Sequence, residues 1–169
     1  MVKKGEWRVT EDIENKLRNK WTNILKPHTL IECGNGWYDL IDLACRAINS
    51  ELVAREKYEE VKYNIVVTEI KEKFGGLRMY YDSFAELPAR QKDTESNVIE
   101  DPYSNPSVAR GLGIIDGVIR MAELYSYHVC ENCGNRGECD PKASYHRTEC
   151  MACYTMRRDA EDDQYGQTA

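Results

Sequence analysis

Four cysteines near the end of the chain are arranged as two Cys-x-x-Cys pairs. Cys130 and Cys133 form the first pair, Cys150 and Cys153 form the second, and 16 residues separate the pairs. Each pair lets two thiolates reach one ion from a short turn, and two such turns complete a tetrahedral four-thiolate shell. The spacing therefore predicts a structural Zn²⁺ site of the zinc-ribbon kind, whose closed shell leaves no position for a catalytic water.

Two further possible metal ligands lie between the pairs, so the sequence does not fix the identity of all four ligands. Cys139 or His146 could replace one of the four cysteines, because zinc accepts both thiolate and imidazole ligands. Iron is an alternative metal, because it binds the same four-thiolate shell. A thioredoxin-like redox pair is disfavoured, since Cys130 follows a predicted helix instead of opening one.

The composition restricts the class of protein. The chain has 169 residues, room for one body and a small metal module. It contains no apolar run of the roughly 18 residues that a membrane span needs, and its first 12 residues contain no apolar signal segment. The seven cysteines are an odd number, and four of them have metal spacing. We therefore expect a soluble cytoplasmic protein without membrane partners.

The distribution of charge disfavours nucleic acid as a partner. The chain holds 23 basic and 29 acidic residues, and residues 82–106 and 157–169 contribute -4 and -2 to the net charge of -6. The remaining body is neutral, whereas proteins that hold duplex DNA present a basic face to its phosphates. A zinc-ribbon nucleic-acid-binding protein stays open as an alternative. Its phosphate contacts would be Arg136, Lys142, Arg147, Arg157 and Arg158.

Apolar periodicity predicts the elements that carry the metal site. A first helix is capped by Thr10, repeats its apolar residues as far as Leu25 and stops at Pro27. A short strand over 29–33 and the turn Gly34-Asn35-Gly36 lead into a second helix with apolar positions Trp37, Leu40, Ile41, Ala44, Ile48 and Leu52. A β-hairpin follows, with strands over 63–70 and 77–81 around Phe74-Gly75-Gly76.

A third helix is predicted to start at Asn105-Pro106, with its start shifted towards Ile114 if the glycines at 111 and 113 break it. The prediction is thus an α+β fold, three helices packed on a β-hairpin or small antiparallel sheet with a C-terminal zinc-ribbon-like module. The body covers residues 1–128 and includes a long polar loop over 82–106. The zinc-binding module covers 129–156, and an acidic disordered tail covers 157–169.

Tyrosine dominates the aromatic residues and suggests a binding surface. Eleven of the sixteen aromatic residues are tyrosine, which buries its ring while its hydroxyl stays hydrated, as at many protein interfaces. We predict one surface where hairpin, third helix and first knuckle meet. It consists of Arg78, Tyr80, Tyr81, Tyr125 and Tyr127. Ordinary half-buried packing is an equally simple explanation of these tyrosines, and base stacking is a third.

Two sequence segments resemble a widespread family of small, uncharacterised bacteriophage proteins. They are Lys71-Glu72-Lys73-Phe74-Gly75-Gly76-Leu77-Arg78-Met79-Tyr80-Tyr81, and Ala122-Glu123 followed by Cys-x-x-Cys-Gly and a second Cys-x-x-Cys. The resemblance runs from about Gly36 to Cys153, with a longer loop over 82–105 and the extra thiol of Cys139. It implies a phage protein acting in the bacterial host cytoplasm, and it transfers no catalytic residue.

These observations predict a non-catalytic phage accessory protein that binds and perturbs a bacterial host protein, such as a defence component. Nucleophile-elbow, Walker, zinc-protease and deaminase motifs are absent from the sequence. A metal-dependent nuclease of the HNH type is the less favoured enzymatic alternative, because such enzymes sometimes carry two Cys-x-x-Cys pairs. That alternative would use His128 or His146.

Overall fold

The computed structural model describes residues 11–58, 62–86, 102–139 and 146–166. The described chain is a mixed α/β structure with four α-helices, a three-stranded sheet and a two-stranded sheet. In chain order the elements are α1 (Glu11–Lys20), β1 (Leu25–Glu32), a 3-10 helix (Asn35–Trp37), α2 (Tyr38–Tyr58), β2 (Lys62–Lys73), β3 (Gly76–Glu86), a second 3-10 helix (Pro102–Ser104), α3 (Pro106–Ser126), β4 (Glu138–Cys139), β5 (Thr148–Glu149) and α4 (Met151–Gly166).

The larger sheet has the order β1-β2-β3 and mixes both strand directions. Strands β2 and β3 form the predicted antiparallel hairpin, and its two-residue turn places Phe74 and Gly75 at φ 55° and 77°. Strand β1 pairs with β2 in parallel, with Ile31 opposite Ile70. Of the two predicted alternatives, the β-hairpin is therefore confirmed, and the small antiparallel sheet is wrong because β1 adds a parallel strand. Helix α2 carries the chain back along the sheet, so the strands on either side of it run in the same direction.

The first helix ends earlier than predicted. It stops at Lys20, and β1 already begins at Leu25, so that Pro27 lies within a strand instead of ending a helix. An edge strand tolerates a residue without an N–H, because only one of its sides pairs with the sheet. Arg18 links α1 to β1, because its guanidinium donates hydrogen bonds to the carbonyl oxygens of Lys26 and Thr29, both 2.5 Å away. The predicted cap Thr10 lies outside the described residues.

Helices α2 and α3 pack together on one face of the sheet and enclose the core. The predicted apolar stripe of α2 is confirmed, with Trp37, Ile41 and Ile48 fully buried. The predicted start of α3 is also confirmed, because Asn105 caps the helix and accepts a hydrogen bond from the Ser107 N–H at 2.9 Å. The alternative start near Ile114 is wrong. The fully buried large side chains of the core are Trp37, Leu17, Ile24, Leu25, Ile41, Ile48, Ile65, Ile70, Leu77, Ile115, Val67 and Val108.

Both segments predicted to lack regular structure contain some. Residues 82–86 continue β3, and residues 102–104 form a 3-10 helix whose Tyr103 hydroxyl donates to the Ser83 carbonyl oxygen at 2.5 Å. Residues 87–101 of the predicted loop lie outside the described residues. Residues 157–166 of the predicted disordered tail belong to α4, because this segment is rich in the helix formers Ala, Arg, Glu and Gln.

A buried carboxylate joins α1 to α2 and yields a test of the body. Asp42 accepts hydrogen bonds from the Trp21 indole N–H at 2.9 Å and from the Lys20 ammonium group at 2.8 Å. Burial alone would raise the pKa of Asp42, but the hydrogen bonds from Lys20 and Trp21 outweigh burial and hold that pKa below its usual value. The ionised form is therefore bound more strongly in the folded state than in the unfolded state.

We expect Asp42→Ala to lower the free energy of unfolding at pH 7 by about 1–3 kcal/mol, because the buried indole N–H loses its acceptor. A depressed folded-state pKa stabilises the protein above the unfolded value of about 3.9, and this stabilisation is lost as the pH falls through the folded pKa. Urea unfolding at pH 7 and pH 3 should show a smaller difference between mutant and wild type in acid. A difference that does not shrink would contradict an ionised Asp42.

Candidate metal centre

The four predicted cysteines converge in the folded chain. The Sγ atoms of Cys130, Cys133, Cys150 and Cys153 all lie within 4.8 Å of one another, and the Cys133 and Cys150 sulfurs are 3.6 Å apart. With Zn–S bonds of about 2.3 Å, a tetrahedral shell places neighbouring sulfurs about 3.8 Å apart. The cluster therefore has the dimensions of a four-thiolate metal site.

The first pair lies on a tight turn that its glycine makes possible. The Gly134 N–H donates to the Cys130 carbonyl oxygen at 2.9 Å, and the Cys130 N–H donates to the Asn135 carbonyl oxygen at 2.7 Å. Gly134 has φ 76°, a conformation that residues with a Cβ rarely adopt. This turn, residues 130–134, is called the knuckle below. It directs both thiols to the same side of the chain.

The second pair differs from the prediction, because it lies on a helix instead of a second isolated turn. Cys150 immediately precedes α4, Cys153 lies in its first turn, and the Tyr154 N–H donates to the Cys150 carbonyl oxygen at 2.9 Å. A hydrogen bond from the Cys153 backbone N–H lowers the pKa of the Cys150 thiol. The positive end of the helix also favours a thiolate at this position. The start of α4 therefore positions both cysteines and favours the thiolate of Cys150.

Burial and crowding oppose ionisation of Cys130 and Cys153. Burial raises the pKa of Cys130, and burial together with hydrogen bonds from neighbouring thiols raises the pKa of Cys153. Four thiolates confined to such a small volume require a cation to balance them. Four sulfur donors occupy all four corners of a tetrahedral ion, so the geometry fits a structural metal and provides no corner for substrate.

The knuckle is anchored to the loop between β1 and α2, residues 33–37, which we call the glycine loop. The Gly36 N–H donates to the Glu131 carbonyl oxygen at 2.7 Å, and the Trp37 indole N–H donates to the Val129 carbonyl oxygen at 2.9 Å. A Cβ on Gly36 would lie 2.1 Å from the Cys130 carbonyl oxygen. The turn Gly34-Asn35-Gly36 thus allows two backbones to meet, a role that its sequence alone does not reveal.

The side chain of Glu131 also links the knuckle to the glycine loop. Its carboxylate accepts a hydrogen bond from the Gly34 N–H at 2.9 Å. Burial, followed by the nearby Glu72 carboxylate, raises the pKa of Glu131 to about 7. A Cβ on Gly34 would lie 2.3 Å from the Glu131 carbonyl oxygen, so both glycines of this loop are needed for the approach.

The hairpin turn forms a second anchor. The Thr148 hydroxyl donates to the Gly75 carbonyl oxygen at 2.6 Å, and the Thr148 carbonyl oxygen accepts from the Glu131 N–H at 2.9 Å. A Cβ on Gly76 would lie 2.5 Å from the Tyr127 ring. The positive φ of Gly75 confirms that it is a turn residue. Gly76 has a different role, because its missing side chain lets the Tyr127 ring pack against the backbone. The metal-binding segment is therefore attached to two separate loops of the body.

The five residues of the predicted interaction surface do not all come together. Arg78 donates to the Tyr127 hydroxyl at 2.9 Å and lies over its ring, and Tyr80 projects from the same face of β3 as Arg78. Tyr81 projects from the opposite face and donates to Asp116 on α3 at 2.6 Å. Tyr125 packs edge-on against His128. The structure thus joins Arg78 with Tyr127 and separates Tyr81 from Tyr80.

The basic residues proposed as phosphate contacts are also divided. Arg157 makes a bidentate ion pair with Glu149 at 2.8 and 3.1 Å, which ties α4 to β5. Arg136 and Arg158 are exposed, Arg147 is half-buried, and Lys142 lies outside the described residues. One of the predicted phosphate contacts, Arg157, is therefore committed to an ion pair within the protein.

The alternative ligands and the nuclease histidines lie apart from the cysteine cluster. His146 packs edge-on against Phe74. Cys139 lies beside the hairpin turn, with its sulfur 2.6 Å from the position that a Cβ on Gly75 would occupy. Within residues 11–58, 62–86, 102–139 and 146–166, no other group of three or more His, Cys, Asp or Glu side chains is close enough to hold an ion.

None of the described helices combines the length and apolar character that crossing a membrane requires. No family model matches the chain, and neither a curated protein nor a solved structure matches it.

Proposed function

We propose that this chain is a non-catalytic binding protein whose C-terminal region is held rigid by one structural Zn²⁺ ion. The observation that carries the proposal is the cluster of four cysteines whose sulfurs lie within 4.8 Å of one another. Four thiolates complete the shell of a tetrahedral ion, so the ion acts on the fold and offers no Lewis-acid position to a substrate. The anchoring of the knuckle to the glycine loop supports the same role.

Zinc is the metal proposed for this site. Four thiolates at tetrahedral spacing are the ligand set of structural zinc, and iron in the same shell is distinguished by its colour. The zinc-ribbon assignment is kept only for the knuckle. With its second pair on α4, the proposed zinc module is a knuckle, a short hairpin formed by β4 and β5, and a helix.

The proposed biological role is that of a phage accessory protein that binds and perturbs a bacterial host protein, such as a defence component, in the host cytoplasm. The resemblance of the hairpin and cysteine motifs to a phage family supports the origin. The partner class is supported by exposed apolar side chains on α3, including Met121, Leu124 and Tyr125. Nucleic acid is less suitable, since Arg157 is committed to Glu149.

A capture experiment tests this function. Tagged, zinc-loaded protein is incubated with bacterial lysate with and without nuclease treatment, and bound material is analysed by mass spectrometry and by a nucleic-acid assay. We expect a specific host protein that is retained after nuclease treatment and lost with Cys133→Ser, which removes a metal ligand. Recovery of nucleic acid alone, or metal-dependent nicking of a plasmid by the purified protein, would contradict the proposal.

A further inference from the structure

Helix α3 presents apolar side chains on the side opposite to the core. Its buried residues Val108, Ile115 and Ile119 face the sheet and α2, as expected for an amphipathic helix. The other side, which we call the outer face of α3, is formed by Gly113, Ile114, Gly117, Met121, Leu124 and Tyr125. Met121 is 66% exposed, Tyr125 57% and Leu124 47%. A helix that is apolar on both sides indicates a second contact partner.

Two glycines form a groove in this outer face. A Cβ at Gly113 or at Gly117 would meet no atom within 4 Å, so nothing in the described body requires glycine at either position. Glycine disfavours a helix interior, and its use here lets another backbone approach α3 closely between Ile114 and Met121. The outer face therefore has the shape of a shallow groove with apolar walls.

Exposed cations lie near both ends of this groove. The charges on α3 itself are balanced: Asp116 accepts from the Tyr81 hydroxyl at 2.6 Å, and Glu123 accepts from the Met79 N–H at 3.3 Å and pairs with Arg120 at 3.4 Å. Arg110 lies in the first half of the helix and is exposed. Arg136 lies beyond the end of the helix and is exposed as well.

A cavity extends the outer face of α3 towards the knuckle. It has a volume of about 440 Å³ and is lined by Tyr125, His128, Val129, Gly134 and Arg136. Arg136 and His128 are donors suited to a carboxylate, and Tyr125 belongs to both the cavity and the outer face. The apolar groove therefore ends in a polar cavity that favours an acidic group.

We propose that the outer face of α3 binds an amphipathic acidic helix of a partner protein, with a carboxylate of that helix in the cavity at Arg136. This inference rests on the proposed binding function and names the surface and partner chemistry. The exposed positions at 114, 117, 121 and 124 follow helical spacing, which suits helix-in-groove recognition. A second copy of the chain is disfavoured, because two copies of this surface would both contribute the exposed cations Arg110 and Arg136 to the interface.

Two synthetic peptides test the proposal against the full zinc-loaded chain. Both are amphipathic helices of about 18 residues, or five turns, with identical apolar positions. One carries Glu and the other Lys at the remaining positions. In fluorescence polarisation, we expect the Glu peptide to bind at least about tenfold more tightly, because the exposed cations Arg110 and Arg136 lie near the two ends of the groove. The preference should reverse with Arg110→Glu combined with Arg136→Glu.

Matched leucine variants locate the binding site. Leu124 on α3 and Leu43 on α2 are both exposed helical leucines, at 47% and 60%. Leu124→Ser should weaken binding of the Glu peptide by about tenfold, and Leu43→Ser should leave it unchanged. Circular dichroism and zinc content check that each variant is folded. Gly117→Leu places a side chain in the groove at a position where a Cβ meets no atom within 4 Å, and it provides a second variant with the same expected loss.

Several outcomes would overturn the inference. They are equal binding of both peptides, no effect of Leu124→Ser and Gly117→Leu, self-association that Leu124→Ser abolishes, or displacement of the peptide by single-stranded DNA. A host protein captured equally well by wild type and the Leu124→Ser variant would overturn the inference and leave the proposed function intact. Selective peptide binding with no protein captured from lysate would support the surface and count against the proposed host-binding function.

Discussion

Removal of the metal should unfold the C-terminal quarter of the protein. We expect a strong chelator, or the substitution Cys133→Ser, to abolish zinc binding and to make the described segments 129–139 and 146–166 sensitive to protease. Binding of zinc by four thiolates has an apparent free energy of about 10–16 kcal/mol in small modules, as large as the stability of a whole domain. Without the cation, burial and crowding disfavour the thiolates of Cys130 and Cys153.

The measurement combines the metal content of purified protein with limited proteolysis and circular dichroism before and after chelation. Cys139→Ser is the matched control, because Cys139 is a half-buried cysteine of the same region outside the four-sulfur cluster. It should retain one zinc per chain. Full zinc content in Cys133→Ser, or loss of zinc in Cys139→Ser, would contradict the assigned ligand set.

Gly36→Ala should destabilise the fold more than Gly34→Ala, the same substitution at the other glycine of the glycine loop. The new Cβ would lie 2.1 Å from the Cys130 carbonyl oxygen, 2.4 Å from the Gly134 nitrogen and 2.7 Å from the Cys133 nitrogen. All three are backbone atoms of the knuckle, so the knuckle must move away from the body. We expect a loss of about 3 kcal/mol or more in the free energy of unfolding, together with faster loss of zinc to a chelator.

Gly117→Ala is the control for this effect, because it makes the same chemical change where no atom lies within 4 Å. Alanine favours a helix over glycine by about 1 kcal/mol, so this variant should be more stable than wild type. Urea unfolding of both zinc-loaded variants gives the comparison. A Gly36→Ala protein as stable as wild type would show that the knuckle does not pack on the glycine loop as described.

These two predictions are linked, because the metal-binding segment and the body share their contacts. The knuckle packs on the glycine loop, and Thr148 of the same module bonds to the hairpin turn at Gly75. A change in metal occupancy therefore acts on two loops that are far apart in sequence. The proposed zinc ion stabilises the orientation of the module relative to α3, and with it the cavity that contains Arg136.

Local sequence signals were sufficient for the cysteine cluster and most elements. The spacing of the two Cys-x-x-Cys pairs predicted that their four sulfurs meet, and the hairpin around Phe74 and Gly75 follows from alternating apolar residues and a turn glycine. The cap Asn105, followed by Pro106, predicted the start of α3 for the same reason. In each case the determining interaction joins residues close in sequence, or it requires a donor type that few residues can provide.

Tertiary structure decided the features that depend on contacts between distant segments. The parallel pairing of β1 with β2 requires α2 to cross the sheet, so Pro27 became part of an edge strand instead of a helix stop. Gly34 and Gly36 resemble an ordinary turn in the sequence, yet their missing side chains admit the backbone of residues 130–134. Tertiary structure also separates Tyr80 from Tyr81, because these consecutive residues project from opposite faces of β3. The amino-acid sequence specifies the order of the side chains, but the tertiary contacts determine which surfaces those side chains pack against.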